Sequence, residues 1–160
     1  MFKRINNNID FAENENKISD YWNEINAFEK SLDIRKDAKV FRFYDGPPFP
    51  TGSPHYGNLL AGVIKDIVPR YWTMRGFFVE RRFGWDVHGL PIEMEVQKDL
   101  GLEDPQDIDD YGIDKFNEAC RSQVQTNTEN WEKITRKIGR WVDFENDYKT
   151  MDVGFMESVW

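Results

Sequence analysis

Between Asp45 and Asn58 the sequence reads DGPPFPTGSPHYGN. Four prolines and three glycines in these fourteen residues leave no room for helix or strand. A rigid loop with little conformational entropy left to lose is expected. It ends on His55, Gly57 and Asn58, where an imidazole, an open backbone and an amide could donate hydrogen bonds to phosphoryl oxygens. Helical spacing resumes at once in Leu59, Leu60, Val63, Ile64, Ile67, Val68 and Tyr71. A helix N-terminus presents unpaired N–H groups and the positive end of its dipole, which suits phosphate. The pattern GxxxxGKS/T does not occur, so a P-loop cradle is excluded. His55 also reads as a loop histidine that caps the helix, and Asn58 as an N-cap residue.

A second run, Arg81–Glu93 (RRFGWDVHGLPIE), carries Asp86 two residues before His88. Asp86 could pair with a cationic ligand, cap the helix that starts at Pro91, or form an ion pair with His88. Two histidines far apart in sequence, with no clustered thiols, speak against a metal site.

These residues need elements to hold them. Val40–Tyr44 reads as a short aromatic strand with Arg42 its one charged interruption. The loop and the helix follow; Pro69 should kink or break the helix early, and Gly76 should stop it. Phe77–Phe83 is the next strand candidate. Strand, loop, helix and strand make the βαβ unit of a parallel sheet, in which ligands bind beyond the carboxyl ends of the strands. Upstream, Ile18, Tyr21, Trp22, Ile25, Phe28 and Leu32 mark one amphipathic helix with a buried stripe, and Lys36–Lys39 a polar connector. Downstream, a helix is expected over Pro91–Leu100, ended by Gly101. A long helix then carries Phe116, Ala119, Cys120, Val124, Trp131, Ile134 and Ile138 on its apolar side, interrupted at Gly139. Asp152 looks like the N-cap of a last helix that stops, half built, at Trp160; a longer parent protein is therefore expected. The division expected is a helical extension over residues 1–39 and an incomplete α/β domain over residues 40–160.

Composition narrows the classes. The 160 residues hold 29 acidic and 21 basic side chains, a net charge of −8, with 39% hydrophobic positions. So acidic a chain is a poor stand-alone gripper of nucleic acid. One cysteine, Cys120, excludes an internal disulfide framework, and its place on an apolar helical face suggests an inert thiol. No apolar run approaches a membrane span. Met1–Asn16 is polar, with a small cluster at Asn6, Asn7 and Asn8, and has no hydrophobic signal region; a cytoplasmic protein is expected. Trp22, Trp72, Trp131 and Trp141 read as core. Arg75, Arg81 and Arg82 read as a solvated or ion-paired face, with nucleic-acid contact the other reading.

Pro54–Asn58, with Asp45–Ser53 before it, resembles the HIGH-type signature of the class I aminoacyl-tRNA synthetases. Arg81–Glu93 resembles the GWDxHGLPxE block of their isoleucine, valine and leucine branch. Tyr44–Gly57 and Val79–Glu93 together look most like the isoleucine-specific group, and the similarity runs on through Trp141–Trp160.

The resemblance implies the first part of a Rossmann-type parallel-sheet (HUP-like) catalytic domain, truncated, behind an N-terminal helix. It implies a motif made of Pro48, Phe49, Pro50, Thr51, Gly52, Ser53, Pro54, His55, Tyr56, Gly57 and Asn58. Within it, His55 and Asn58 match the two positions that contact ATP phosphates and steady the pentacovalent transition state, and Gly57 matches the glycine beneath the nucleotide. Gly46 and Pro47 would border the amino-acid pocket, and Asp86 would pair with the α-ammonium. The substrates implied are isoleucine, ATP as its Mg²⁺ complex, and tRNA, with no resident metal, in a monomeric parent that also edits misactivated valine. A valine or leucine member, or an inactive truncated nucleotide-binding module, are the other outcomes. Two residues depart from the pattern: Asn58 stands at the second histidine and cannot carry positive charge, and Val87 stands where cysteine or threonine is usual. The KMSKS loop, the bulk of the editing insertion and the anticodon-binding helices have no counterpart in these residues.

Overall fold

A computed structural model describes residues 9–160, the side chains of residues 125 and 126 excepted; the Asn6–Asn8 cluster lies outside the described residues. The order of elements is α1 (Phe11–Glu24), α2 (Ala27–Asp33), α3 (Tyr56–Met74), β1 (Arg82–Trp85), α4 (Leu90–Leu100), α5 (Pro105–Tyr111), α6 (Ile113–Lys137), β2 (Asp143–Lys149) and α7 (Val153–Val159).

Strand pairing falls later in the chain than its sequence pattern suggests. β1 and β2 form a parallel pair, with α4, α5 and α6 between them in sequence. Arg82 faces Asp143, Gly84 faces Tyr148 and Trp85 faces Lys149, with an irregularity between Arg82 and Gly84. Val40–Tyr44, the expected first strand, makes only an isolated parallel bridge from Val40 to Phe78. Two backbone bonds flank it: Phe41 donates to the Phe78 carbonyl at 2.9 Å, and Phe78 to that of Lys39 at 3.0 Å. No further ladder bond joins Arg42–Tyr44 to this bridge among the described residues. The strand expected over Phe77–Phe83 is displaced to β1, whose carbonyls and amides are taken by β2, an element its polar DFENDYK sequence had concealed.

The helices follow their signals more closely. α4 carries Pro91 in its first turn and ends at Gly101 with φ +68°. α6 ends at Lys137, just short of Gly139 at φ +73°. The single helix expected from Ile18 to Leu32 is divided, because Asn26 adopts the left-handed conformation at φ +49°. Of its apolar stripe, Trp22 and Phe28 reach the Trp141 ring, with centroids 5.3 Å and 6.3 Å away, while Ile18 and Tyr21 stay exposed. Pro69 does not end α3, which continues to Met74. The Thr73 hydroxyl donates back to the Pro69 carbonyl at 2.8 Å. Asp152 stands at the N-cap of α7, but its carboxylate accepts from the Lys149 N–H at 3.0 Å instead of from its own helix.

The core lies where the strand pair meets α4 and α6. Phe83, Trp85, Ile92, Val96, Phe116, Val124, Trp131, Val142 and Phe144 are all buried there. Phe83 and Phe144 stack across the two strands with centroids 4.5 Å apart. That packing fixes the ends of β1 and β2, and so fixes the loops that leave them.

Candidate active site

With so few backbone donors, the loop after Val40–Tyr44 is held by side chains from α3, α6 and β2 and from the connection between the last two. Lys65 of α3 donates to the Gly46 carbonyl at 2.5 Å and lies 2.8 Å from Asp45 Oδ1. Arg140 pairs with Asp45 Oδ2, and the Asp45 side chain is fully buried between these two cations. Tyr148 of β2 donates its phenol to the Asp45 carbonyl at 3.0 Å. At the other end of the loop, the Trp131 indole donates to the Gly52 carbonyl at 2.9 Å and Asn130 donates to the Ser53 hydroxyl at 3.1 Å. Between them Pro50 is fully buried and Phe49 packs on the core. The loop is thus a rigid wall whose shape its neighbours dictate.

Where the wall ends, α3 begins. His55 is its N-cap: the ring Nδ1 accepts from the Gly57 N–H at 3.1 Å, and the Asn58 side-chain carbonyl accepts from the His55 N–H at 3.0 Å. Capping and ligand binding therefore do not compete. An Nδ1 that accepts places the proton of a neutral imidazole on Nε2, and an Asn58 that accepts through Oδ1 keeps both amide hydrogens. Three N–H groups thus remain for a ligand from the two residues that cap the helix. Gly57 is required for this arrangement, since a Cβ there would stand 2.9 Å from His55 Cε1.

The second block reaches the loop through Asp86, whose N–H donates to the Pro48 carbonyl at 2.9 Å. Its half-buried carboxylate accepts from the Thr150 hydroxyl at 3.4 Å. Burial raises the Tyr148 phenol above its usual range, and the Asp45 and Asp86 charges add to that. The phenol is consequently kept as a donor between the two acidic residues. Gly46, Pro47, Pro48, Pro54 and Asn58 line one cavity of about 190 Å³ with Lys65 and Arg140. His55, Gly57 and Asp86 do not line it. Among the described residues, no group of three or more His, Cys, Asp or Glu side chains is placed to hold a metal ion.

Some side chains differ from their sequence reading. Arg81 is neither solvated nor ion-paired by direct contact. It is 2% exposed, donates to the Thr73 hydroxyl, and lies 5.6 Å over the Phe28 ring. Burial draws its guanidinium down to about 10, with the Asp66 charge opposing. Arg82 does remain outside, 3.6 Å from Glu80. Burial also pushes the Cys120 thiol up, with the Glu93 charge adding to it, so little thiolate forms at neutral pH. Lys65, Arg140, Tyr148 and Thr150 had escaped notice. Lys65 lies off the apolar stripe of its helix, so the sequence pattern carried no signal for it.

The chain itself falls in a known family. The profile of the class I tRNA synthetases (I, L, M and V) matches residues 17–160, and the chain belongs to that family. Its similar relatives are more particular. The isoleucine–tRNA ligase of Treponema denticola is 52% identical over the whole chain, which covers 14% of that protein. The cytoplasmic isoleucine–tRNA ligase of Saccharomyces cerevisiae is 53% identical over 97% of the chain and 14% of its own length. The isoleucine–tRNA ligase of Tetrahymena thermophila is 55% identical over 99% and 15%. The chain thus spans about one-seventh of the length of these curated relatives. Among solved structures, a LeuRS of Agrobacterium radiobacter K84, determined as a ternary complex with tRNA and LeuAMS, superposes with a TM-score of 0.63. It is 18% identical and is covered over 16% of its chain, against 88% of this one. The Rossmann-like α/β fold is the shared feature. No helix among the described residues is long and apolar enough to cross a membrane.

Proposed function

We propose that this chain provides the nucleotide- and amino-acid-binding part of an isoleucine–tRNA ligase, with residues 1–39 as a helical extension and residues 40–160 as the first half of the catalytic domain. The observation that carries the reading is the identity of 52–55% to ligases of that name across essentially the whole chain. In the reaction, a carboxylate oxygen of isoleucine bonds to the α-phosphorus of ATP, the bond to the bridging oxygen breaks, and pyrophosphate leaves with its electron pair. The aminoacyl group then passes to tRNA.

The chain's own groups suit the first step. His55 Nε2–H and the Asn58 amide face a growing charge on phosphate oxygens, and being pre-set by the cap they need no reorganisation when that charge develops. Asp86 is the anion for the α-ammonium, and Gly46 and Pro47 form the rigid wall beside the aliphatic side chain. ATP enters as its Mg²⁺ complex, so the metal is substrate here. ATP–pyrophosphate exchange by the full-length enzyme tests the proposal, with isoleucine, valine and leucine offered separately. Exchange should depend on isoleucine; dependence on valine or leucine alone would overturn the assignment.

A further inference from the structure

We infer that Thr150 is a positioning residue for the amino-acid site, its buried hydroxyl orienting the Asp86 carboxylate. The inference rests on the reading of Asp86 as the partner of the α-ammonium. Thr150 follows the last residue of β2, and its N–H donates to the Trp85 carbonyl at 3.0 Å. This places it beside the turn that carries Asp86. The residue is 6% exposed. Its Oγ1 accepts the Val87 N–H at 2.9 Å, lies 2.7 Å from His88 Nδ1, and lies 3.4 Å from Asp86 Oδ1.

A hydroxyl has two lone pairs and one hydrogen, and that inventory decides the pattern. If the Thr150 hydrogen went to His88, Oγ1 and Asp86 Oδ1 would face each other as two acceptors. With the hydrogen of His88 on Nδ1, both lone pairs are filled, by Val87 and His88. The hydroxyl hydrogen is then left for Asp86, and all three contacts are satisfied. Among the described residues, Thr150 is the one hydrogen-bond partner of the Asp86 carboxylate. A neutral donor at 3.4 Å orients that carboxylate without cancelling its charge, which stays available to an ammonium. An adjacent lysine or arginine would have neutralised it.

The test uses the full-length enzyme in ATP–pyrophosphate exchange with four single variants and one double variant. Thr150→Val keeps the shape and removes the hydroxyl; it should raise KM for isoleucine roughly tenfold, the loss expected for a hydrogen bond to a charged group. Its kcat and its KM for ATP should stay within about twofold, since the α-phosphate donors are untouched. Thr150→Ser should restore KM to within about threefold, and Thr150→Ala should behave as Thr150→Val does. In an Asp86→Asn background, Thr150→Val should cost nothing further, because the hydroxyl acts through the carboxylate. An unchanged isoleucine KM in Thr150→Val and Thr150→Ala, beside a raised one in Asp86→Asn, would overturn the inference and leave the role of Asp86 standing. An unchanged KM in Asp86→Asn itself would overturn the ammonium reading beneath it. A lowered melting temperature in Thr150→Val, Thr150→Ala and Thr150→Ser, with kcat reduced equally for every substrate, would assign Thr150 a structural part only and so refute it.

Discussion

Gly84 and Tyr148 face each other across the parallel pair, and the phenol ring fills the space a side chain at position 84 would need. A Cβ there would stand 2.2 Å from Tyr148 Cζ. Since the ring is also the donor to the Asp45 carbonyl, the glycine indirectly sets the head of the loop. Gly84→Ala should therefore force Tyr148 aside, at about 1–3 kcal/mol for overpacking a filled site. Thermal denaturation should show the loss, and isoleucine KM should rise with it. An unshifted melting point would mean that the ring moves freely, and that it does not fix the loop.

The buried ion cluster invites a sharper test. Asp45 is fully enclosed between Lys65 and Arg140, so removing one cation strands half the charge compensation in the interior. Arg140→Met should destabilise by about 3 kcal/mol, the lower end for breaking a buried pair, because Lys65 remains. Adding Asp45→Asn should recover part of that loss, since the anion that suffers is then gone. Urea midpoints for the two single variants and the double variant decide it; strict additivity would show that the two residues act separately.

Such partners explain which parts of this molecule were legible in its sequence. Helix ends were readable because their signals are local: Pro91 and Gly101 bound α4, and Gly139 follows the end of α6. His55 was readable as a cap for the same reason, whereas Asn58, read as an N-cap, stands at the third helical position and closes the cap from inside the helix. Strand pairing was not, because it depends on which distant segment supplies the ladder. Val40–Tyr44 has the composition of a strand and almost no partner, while the polar stretch Asp143–Lys149 has one. Arg81 and Asp45 show the same limit. Each charged residue lies in the interior because of groups 8 to 95 positions away, and no local pattern reports them.

The cap and the chemistry at His55 can be separated by substitution. Aspartate is as good an N-cap as any residue, accepting the same backbone N–H. His55→Asp should therefore keep the melting temperature near that of the parent. It should abolish measurable exchange, since a carboxylate replaces a donor where phosphate negative charge accumulates. His55→Ala should lose both, with about 1 kcal/mol of stability from the missing cap. Exchange retained in the aspartate variant would confine His55 to its structural part.

Acid stability should report on Asp143, which opens β2. Burial works to raise its pKa, but the N–H groups of Asn146 and Glu145, the Asn146 amide and the Arg82 charge together prevail and lower it below 3.8. The contacts are short: both backbone N–H groups donate to Oδ1 at 2.9 Å, and the amide to Oδ2 at 2.8 Å. A carboxyl whose pKa is lower folded than unfolded stabilises the fold while it is ionised. That contribution is complete above the unfolded value of 3.8 and is lost as pH falls through the folded value. Unfolding midpoints in urea should thus decline below about pH 3.8, and the decline should be shallower in Asp143→Asn, whose amide does not titrate. Because Asp143 faces Arg82 at the start of the strand pair, the loss should spread along β2 to Tyr148 and Thr150. Hydrogen exchange at the Thr150 amide, bonded to the Trp85 carbonyl, should then accelerate over the same pH interval once the intrinsic pH dependence of exchange is removed. Protection at Thr150 that survives the acid transition would show that the far end of the strand is held by its own contacts to the Asp86 turn.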